Sequence, residues 1–94
     1  MTEEQVTRLL GMLKTDLGFT AIKYDERLKQ YLQTAYKNIK AEGAQTLNVE
    51  NIDDAQLVVM YSAWMWRKRD SGEGMPRMIR YALNNRILGE KARG

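Results

Sequence analysis

Two pairs of adjacent carboxylates, Asp25-Glu26 and Asp53-Asp54, are the closest this chain comes to the paired acids of general acid–base chemistry. Each pair stands where an apolar, helix-spaced run begins. Acids at such positions cap a helix or face the positive pole of its dipole, and capping accounts for them. Histidine and cysteine are both absent. That removes the side chain best suited to proton transfer near neutral pH, the common nucleophile–base pairs, and the usual zinc ligands. Gly72-Glu73-Gly74 holds a carboxylate between its glycines and lacks the Gly-Lys-Ser/Thr ending of a phosphate loop. These residues predict no enzyme: no catalytic, cofactor-binding or metal site. A hydrolase working with Asp, Lys or Tyr alone is the one enzymatic alternative.

Cations carry the other possible chemistry. Arg67, Lys68, Arg69, Arg77 and Arg80 cluster in sequence around one loop, and residues 67–94 hold eight bases against three acids. Residues 44–66 hold three acids and no base, so the formal net charge of +3 conceals a strong asymmetry. Arginine can contact phosphate, which makes non-specific DNA contact one reading and a solvated basic face the other. The connection from Gly18 to Tyr24 is longer than a helix-turn-helix tolerates. Tyr31, Tyr36, Trp64 and Trp66 fall on apolar faces, as core or interface side chains rather than base-stacking platforms. Sequence-specific reading of a duplex is not expected.

Four helices must position these groups. Thr2 with Gln5 is a capping-box pattern, Val6, Leu9, Leu10, Leu13 and Leu17 follow helical spacing, and Gly18 is a C-terminal stop. A linker from Phe19 to Tyr24 leads to Asp25 as the next N-cap. Leu28, Tyr31, Leu32, Ala35, Tyr36 and Ile39 then form one stripe, with Lys29, Gln33, Lys37 and Lys40 on the far side. Thr46, Leu47, Val49 and Ile52 suggest an extended connection that tucks a few side chains under the helices. Asn51 or Asp53 caps the third helix.

From Leu57 to Trp66 only Ser62 is not hydrophobic. Leu57, Met60, Tyr61 and Trp64 share one face and Val59, Ala63 and Trp66 another. Such a helix calls for burial almost all round. It is either the central core helix or a helix that three short neighbours leave partly open to another subunit. Arg67-Lys68-Arg69 close it near its negative pole. Pro76 suits the first turn of a fourth helix, whose inward face is expected to be Met78, Ile79, Ala82, Leu83 and Ile87. Arg77, Arg80 and Asn84 share its opposite side. The helix centres are expected at 6–16, 26–41, 55–68 and 76–88, with residues 89–94 a polar, mobile tail.

The composition permits one all-α domain spanning residues 1–94, a small bundle of about four helices with a central, mostly apolar third helix. Hydrophobic residues make up 44% and charged residues 29% of 94, an ordinary folded profile too short for a large internal cavity. The acidic start is unlike a signal peptide, and the longest apolar run falls well short of the ~20 residues of a membrane span. A cytoplasmic site of synthesis and no membrane partner are expected.

Residues 53–64, Asp-Asp-Ala-Gln-Leu-Val-Val-Met-Tyr-Ser-Ala-Trp, with Arg67-Lys68-Arg69 behind them, resemble the head–tail connector family of long-tailed phages and of prophages in Gram-positive bacteria. The run from Gly72 through Met75-Pro76-Arg77-Met78-Ile79-Arg80-Tyr81 to Arg86 is similar to it too, and Met75 to Arg86 is the most specific part. Asp16-Leu17-Gly18 and Tyr24 to Leu28 look like the family's amino-terminal helices, so the likeness covers nearly the whole chain. It implies a virion protein at the head–tail junction: a homo-oligomeric ring subunit that docks under the portal protein after DNA packaging and offers a platform to tail-completion proteins. It implies no cofactor. On that reading Tyr61, Trp64, Trp66, Arg77 and Arg80 make core, subunit or partner contacts, and Arg67, Lys68 and Arg69 face a partner or the DNA channel. The alternative is a small basic DNA-binding or DNA-packaging accessory protein that works without a ring.

Overall fold

The computed structural model describes residues 1–18 and 20–93, and Phe19, expected in the first linker, lies outside the described residues. Four helices follow in order: α1 (Glu3–Leu17), α2 (Asp25–Ala41), α3 (Ile52–Ser71) and α4 (Arg77–Arg93). The chain is all-α, as its periodicity predicts.

Local chemistry sets most of the helix ends. The Thr2 hydroxyl accepts from the Gln5 amide at 3.1 Å, and the Gln5 side chain accepts from the Thr2 amide at 2.9 Å. Gly18 closes α1 and Gly72 closes α3, both with positive φ that glycine adopts without penalty. Asn51 caps α3, its side-chain oxygen accepting from Asp53 and Asp54. The second cap differs from expectation. Tyr24 occupies the N-cap of α2 with no side-chain bond, and Asp25 is already helical. Its carboxylate instead takes the ammonium of Lys14 at 2.8 Å, tying the start of α2 to the end of α1.

α1, α2 and α3 form the core. Leu9 and Leu13 of α1, Leu28, Leu32 and Ile39 of α2, Val58 and Ser62 of α3, and Leu83 of α4 are fully buried. Ser62 is accommodated because its hydroxyl donates to the Val58 carbonyl at 2.8 Å, leaving no unsatisfied polar group there. α3 is the central strut: Leu57, Val58, Val59, Tyr61 and Ala63 are all buried within the one chain. Three neighbours and the 44–51 connection therefore do cover this stretch, and only Met60 and the Trp64–Trp66 end stay half-buried. Contacts between ends fix the directions. α1 begins against Val49 and Glu50 and ends at Asp25, while the start of α2 packs on Trp66 near the end of α3. Successive helices α1 to α3 are thus antiparallel.

The connection buries Ala44, Leu47 and Val49, but Thr46 is exposed and Ile52 is 63% exposed rather than tucked in. Ile52 opens α3 next to its cap, where the side chain projects from the end of the bundle. α4 departs further from expectation. Ile79 and Leu83 are buried and Ala82 and Ile87 pack partly against the core, as expected, and Arg86 and Glu90 turn inward with them, whereas Met78 is 76% exposed. The hydrophobic pattern thus finds four of the five inward residues and fails at Met78, while the two charged groups that also turn inward lie outside its reach. The expected end at Leu88 is likewise too early: the helix runs through Gly89 to Arg93, and Gly94 lies outside the described residues.

α4 is pinned by a polar cluster. Arg86 grips Asp54 with two bonds, Nε to Oδ1 at 2.8 Å and Nη2 to Oδ2 at 3.3 Å, and reaches the Thr46 hydroxyl at 3.1 Å. Asp54 also accepts from the Asn48 amide at 3.0 Å, and Glu90 accepts from both the amide and the hydroxyl of Thr46. The Asp54 hydrogen bonds hold the Arg86 guanidinium above its ordinary pKa. Gly43 completes the seat: at φ 135° a side chain would strain the backbone, and its Cβ would lie 3.1 Å from Ile87 Cγ2, close enough to push that side chain aside. Replacing Arg86 by alanine should strand a carboxylate that is 6% exposed. The expected loss is about 3 kcal/mol, read from urea denaturation. Lys91→Ala, on the exposed side, should change stability by no more than about 0.5 kcal/mol.

Candidate interaction surface

The carboxylate pairs do not converge as an acid–base site. Asp54 is buried on Arg86 while its neighbour Asp53 faces solvent. Asp25 is paired with Lys14, and Glu26 with Lys29 at 3.4 Å. Among the described residues no group of three acids could hold a metal ion. A polar cleft of about 330 Å³ beside Arg86 is lined by Thr46, Asn48, Asn51, Asp53 and Asp54, all but Asp53 already engaged in the bonds that hold α3 and α4.

The tryptophans and cations singled out by sequence come together at the carboxy-terminal end of α3, and they pair with each other. Helical spacing of three and four places Lys68 Nζ 4.3 Å from the centre of the Trp64 ring, and Arg69 Cζ 3.5 Å from that of Trp66. Trp64 donates through Nε1 to the carbonyls of Glu73 and Gly74, at 3.3 and 3.1 Å, and so clips the 72–76 loop over the helix end. Its other neighbour, Tyr61, is buried and meets it edge-on at 5.5 Å. Trp66 packs edge-on against Tyr24 at 5.0 Å and Tyr31 at 6.3 Å, joining α3 to the start of α2. Arg69 also donates to the Trp66 carbonyl at 2.5 Å, at the negative pole of α3. The aromatic residues are thus engaged within the chain, with guanidinium and ammonium groups laid over their outer faces.

The remaining cations are disposed differently. Arg80 pairs with Glu42 at 3.2 Å, bracing α4 against the end of α2. Arg67 and Arg77 are exposed and have no side-chain partner among the described residues. Arg67, Lys68 and Arg69 make the end of α3 basic, and Met78 and Tyr81 of α4 are exposed.

The opposite end of α3 is acidic. Asp53 and Ile52 project there, next to Glu50 and to the first turn of α1 with Glu3 and Glu4. Gln5 and Arg8 both donate to Glu50, and these bonds hold its carboxyl below the usual range. Ile52 was expected to be buried, so sequence reasoning missed this end. The signal that could have found it is the run Glu50-Asn51-Ile52-Asp53, an apolar side chain set among helix-capping groups.

No protein-family model, curated protein or solved structure matches the chain.

If Trp66 joins α2 to α3 as described, Trp66→Ala should cost about 2 kcal/mol, less than a fully buried tryptophan because the ring is half-exposed. Arg69→Ala should cost well under about 1 kcal/mol while shifting tryptophan emission to the red as the ring loses its cover. A Trp66→Ala chain that unfolds at the wild-type urea concentration would contradict this packing.

Proposed function

We propose that this protein is a structural subunit of a phage head–tail connector. It would join like copies head-to-tail into a ring beneath a portal protein and present a platform to the tail. The resemblance of residues 53–69 and 72–86 to that family supports the reading. The observation that carries it is the polarity of α3. A single helix bears an acidic end with an exposed isoleucine, and a basic end with exposed Arg67. The two ends of this 20-residue helix stand about 30 Å apart at 1.5 Å per residue. Complementary surfaces at opposite ends of one subunit suit a heterologous contact, which closes into a ring when the rotation between copies permits.

Native mass spectrometry of the chain, alone at rising concentration and mixed with a portal protein encoded alongside it, tests this. Ring-sized species are expected. Ile52→Lys and Arg67→Glu should each block growth, while the two variants mixed should stop at a two-subunit species, because one intact acidic end still meets one intact basic end. A wild-type chain that stays monomeric with the portal at high concentration rules the reading out.

The accessory-protein reading draws on Arg67 and Arg77, which are exposed and have no side-chain partner among the described residues. It predicts DNA retention that is indifferent to sequence and falls steeply with salt, measured by filter binding.

A further inference from the structure

We propose that the outer face of α4 is a docking seam for an acidic amphipathic helix of a partner protein. This inference does not rest on the assembly of the α3 ends.

The seam is a row of side chains turned away from the core. Met78, Tyr81, Asn85 and Leu88 succeed one another at intervals of three, four and three, the spacing of the a and d positions of a two-helix contact. All four are exposed, the three large apolar ones at 76%, 59% and 62%. The face that holds α4 in place, through Ile79, Leu83, Arg86 and Glu90, lies on the other side of the helix. The row is one side chain wide. A helix that lies on a lipid surface presents a broader apolar face, so this row suits a second helix better.

Its edges indicate the partner's charge. One edge carries Arg77, Asn84 and Lys91; on the other, Gly89 is exposed, and Ala82 is half-buried against the core in a groove that Asn85 shares with Asp53 of α3. The single acid of α4, Glu90, is turned inward onto Thr46 and Arg86. A second copy docked antiparallel would set Arg77 against Lys91, and a parallel copy would offer them only alanine and glycine. An acidic helix would meet cations along one edge and small residues along the other. Gly89 supports close approach. Glycine weakens a helix interior, and nothing within 4 Å of a Cβ there requires its small size inside this chain. Asn85, at an a position midway along the row, would fix the partner's register.

Fluorescence anisotropy with two designed peptides tests the seam. Both carry leucine at a and d; one has glutamate at e and g, the other lysine. The glutamate peptide is expected to bind the full chain, with affinity falling as salt rises, and the lysine peptide to bind about tenfold more weakly or worse. Tyr81→Glu and Leu88→Glu should each weaken the glutamate peptide by about tenfold or more, with unchanged thermal melts. Ile52→Lys and Arg67→Glu should leave the Glu-peptide affinity nearly intact, which separates this seam from contacts made by the α3 ends. Failure of the glutamate peptide to bind, or equal affinity for the two peptides, overturns the proposal. So does a wild-type dimer that Leu88→Glu dissociates, which would make a second copy the occupant. Sedimentation with phosphatidylserine vesicles that Leu88→Glu abolishes would assign the face to a membrane instead, and overturn it equally.

Discussion

The forked ion pair between Arg86 and Asp54 is the constraint on which the placement of α4 depends. That helix contributes few large side chains to the core, chiefly Ile79 and Leu83, so apolar burial alone would hold it loosely. The guanidinium adds direction. Its planar fork admits one orientation against the carboxylate, and that orientation sets the rotation of α4 about its own axis. Rotation decides which residues face outward. Because Arg86 is fixed inward, Tyr81 and Leu88 must face solvent and Arg80 must fall beside Glu42. The pair is largely buried at the wall of a polar cleft, and such pairs are seldom a source of net stability over an apolar substitute. Their value is specificity of arrangement, and here the arrangement includes a third element. Thr46 bonds both Arg86 and Glu90, so the 44–51 connection cannot shift without disturbing α4.

α3 has the opposite character: it is held by burial along most of its length, with Gln56 and Met60 reaching the surface between its exposed tips. Its charges follow the helix dipole, acids at the start and bases at the finish, so each end gains locally from its own composition. The same distribution makes the helix a dipole at the scale of the whole molecule. In the proposed ring, stability and association would draw on this one pattern, and substitutions at either tip would act on both. The indole rings near the basic tip separate the two effects to a degree. They fasten α2 and the 72–76 loop through their edges and ring nitrogen, and offer their faces to Lys68 and Arg69.

The elements legible in the sequence were those governed by local chemistry. Thr2 with Gln5, Gly18, Asn51 and the leucine spacing of α1 and α2 act within a turn or two of where they stand, so a linear reading finds them. Residues whose roles depend on a distant partner were misread. Asp25 looks like a cap, but Lys14 claims its carboxylate. Met78 looks like a core residue, but the buried carboxylate of Asp54 draws Arg86 inward and turns Met78 out. Ile52 looks like a residue to bury, yet α3 starts at that point and leaves it at the rim. Gly89 looks like a terminator, but Glu90 beyond it finds Thr46 and carries the helix onward. In the candidate surface, the cations and tryptophans were identified as types, while their pairing and the acidic counterpart required the fold. Of the two roles open to α3, the central core helix describes residues 57–59 and 61–63, which are buried within a core that Ala44, Leu47 and Val49 of the connection join, while Met60 and residues 64–66 stay half-buried.

The exposure of Met78 has a chemical consequence apart from binding. Five of the six methionines, Met1, Met12, Met60, Met65 and Met75, are packed at least partly against the core, and Met78 alone stands in solvent. An oxidant would reach its thioether first, turning a soft apolar group into a polar sulfoxide. The lesion would fall on the outer side of α4, remote from Leu83 and Arg86, and would leave the fold intact. Aged or oxidatively stressed protein would then melt normally while carrying an altered surface, a change that measurements of stability would pass over and a mass shift of one oxygen atom would reveal.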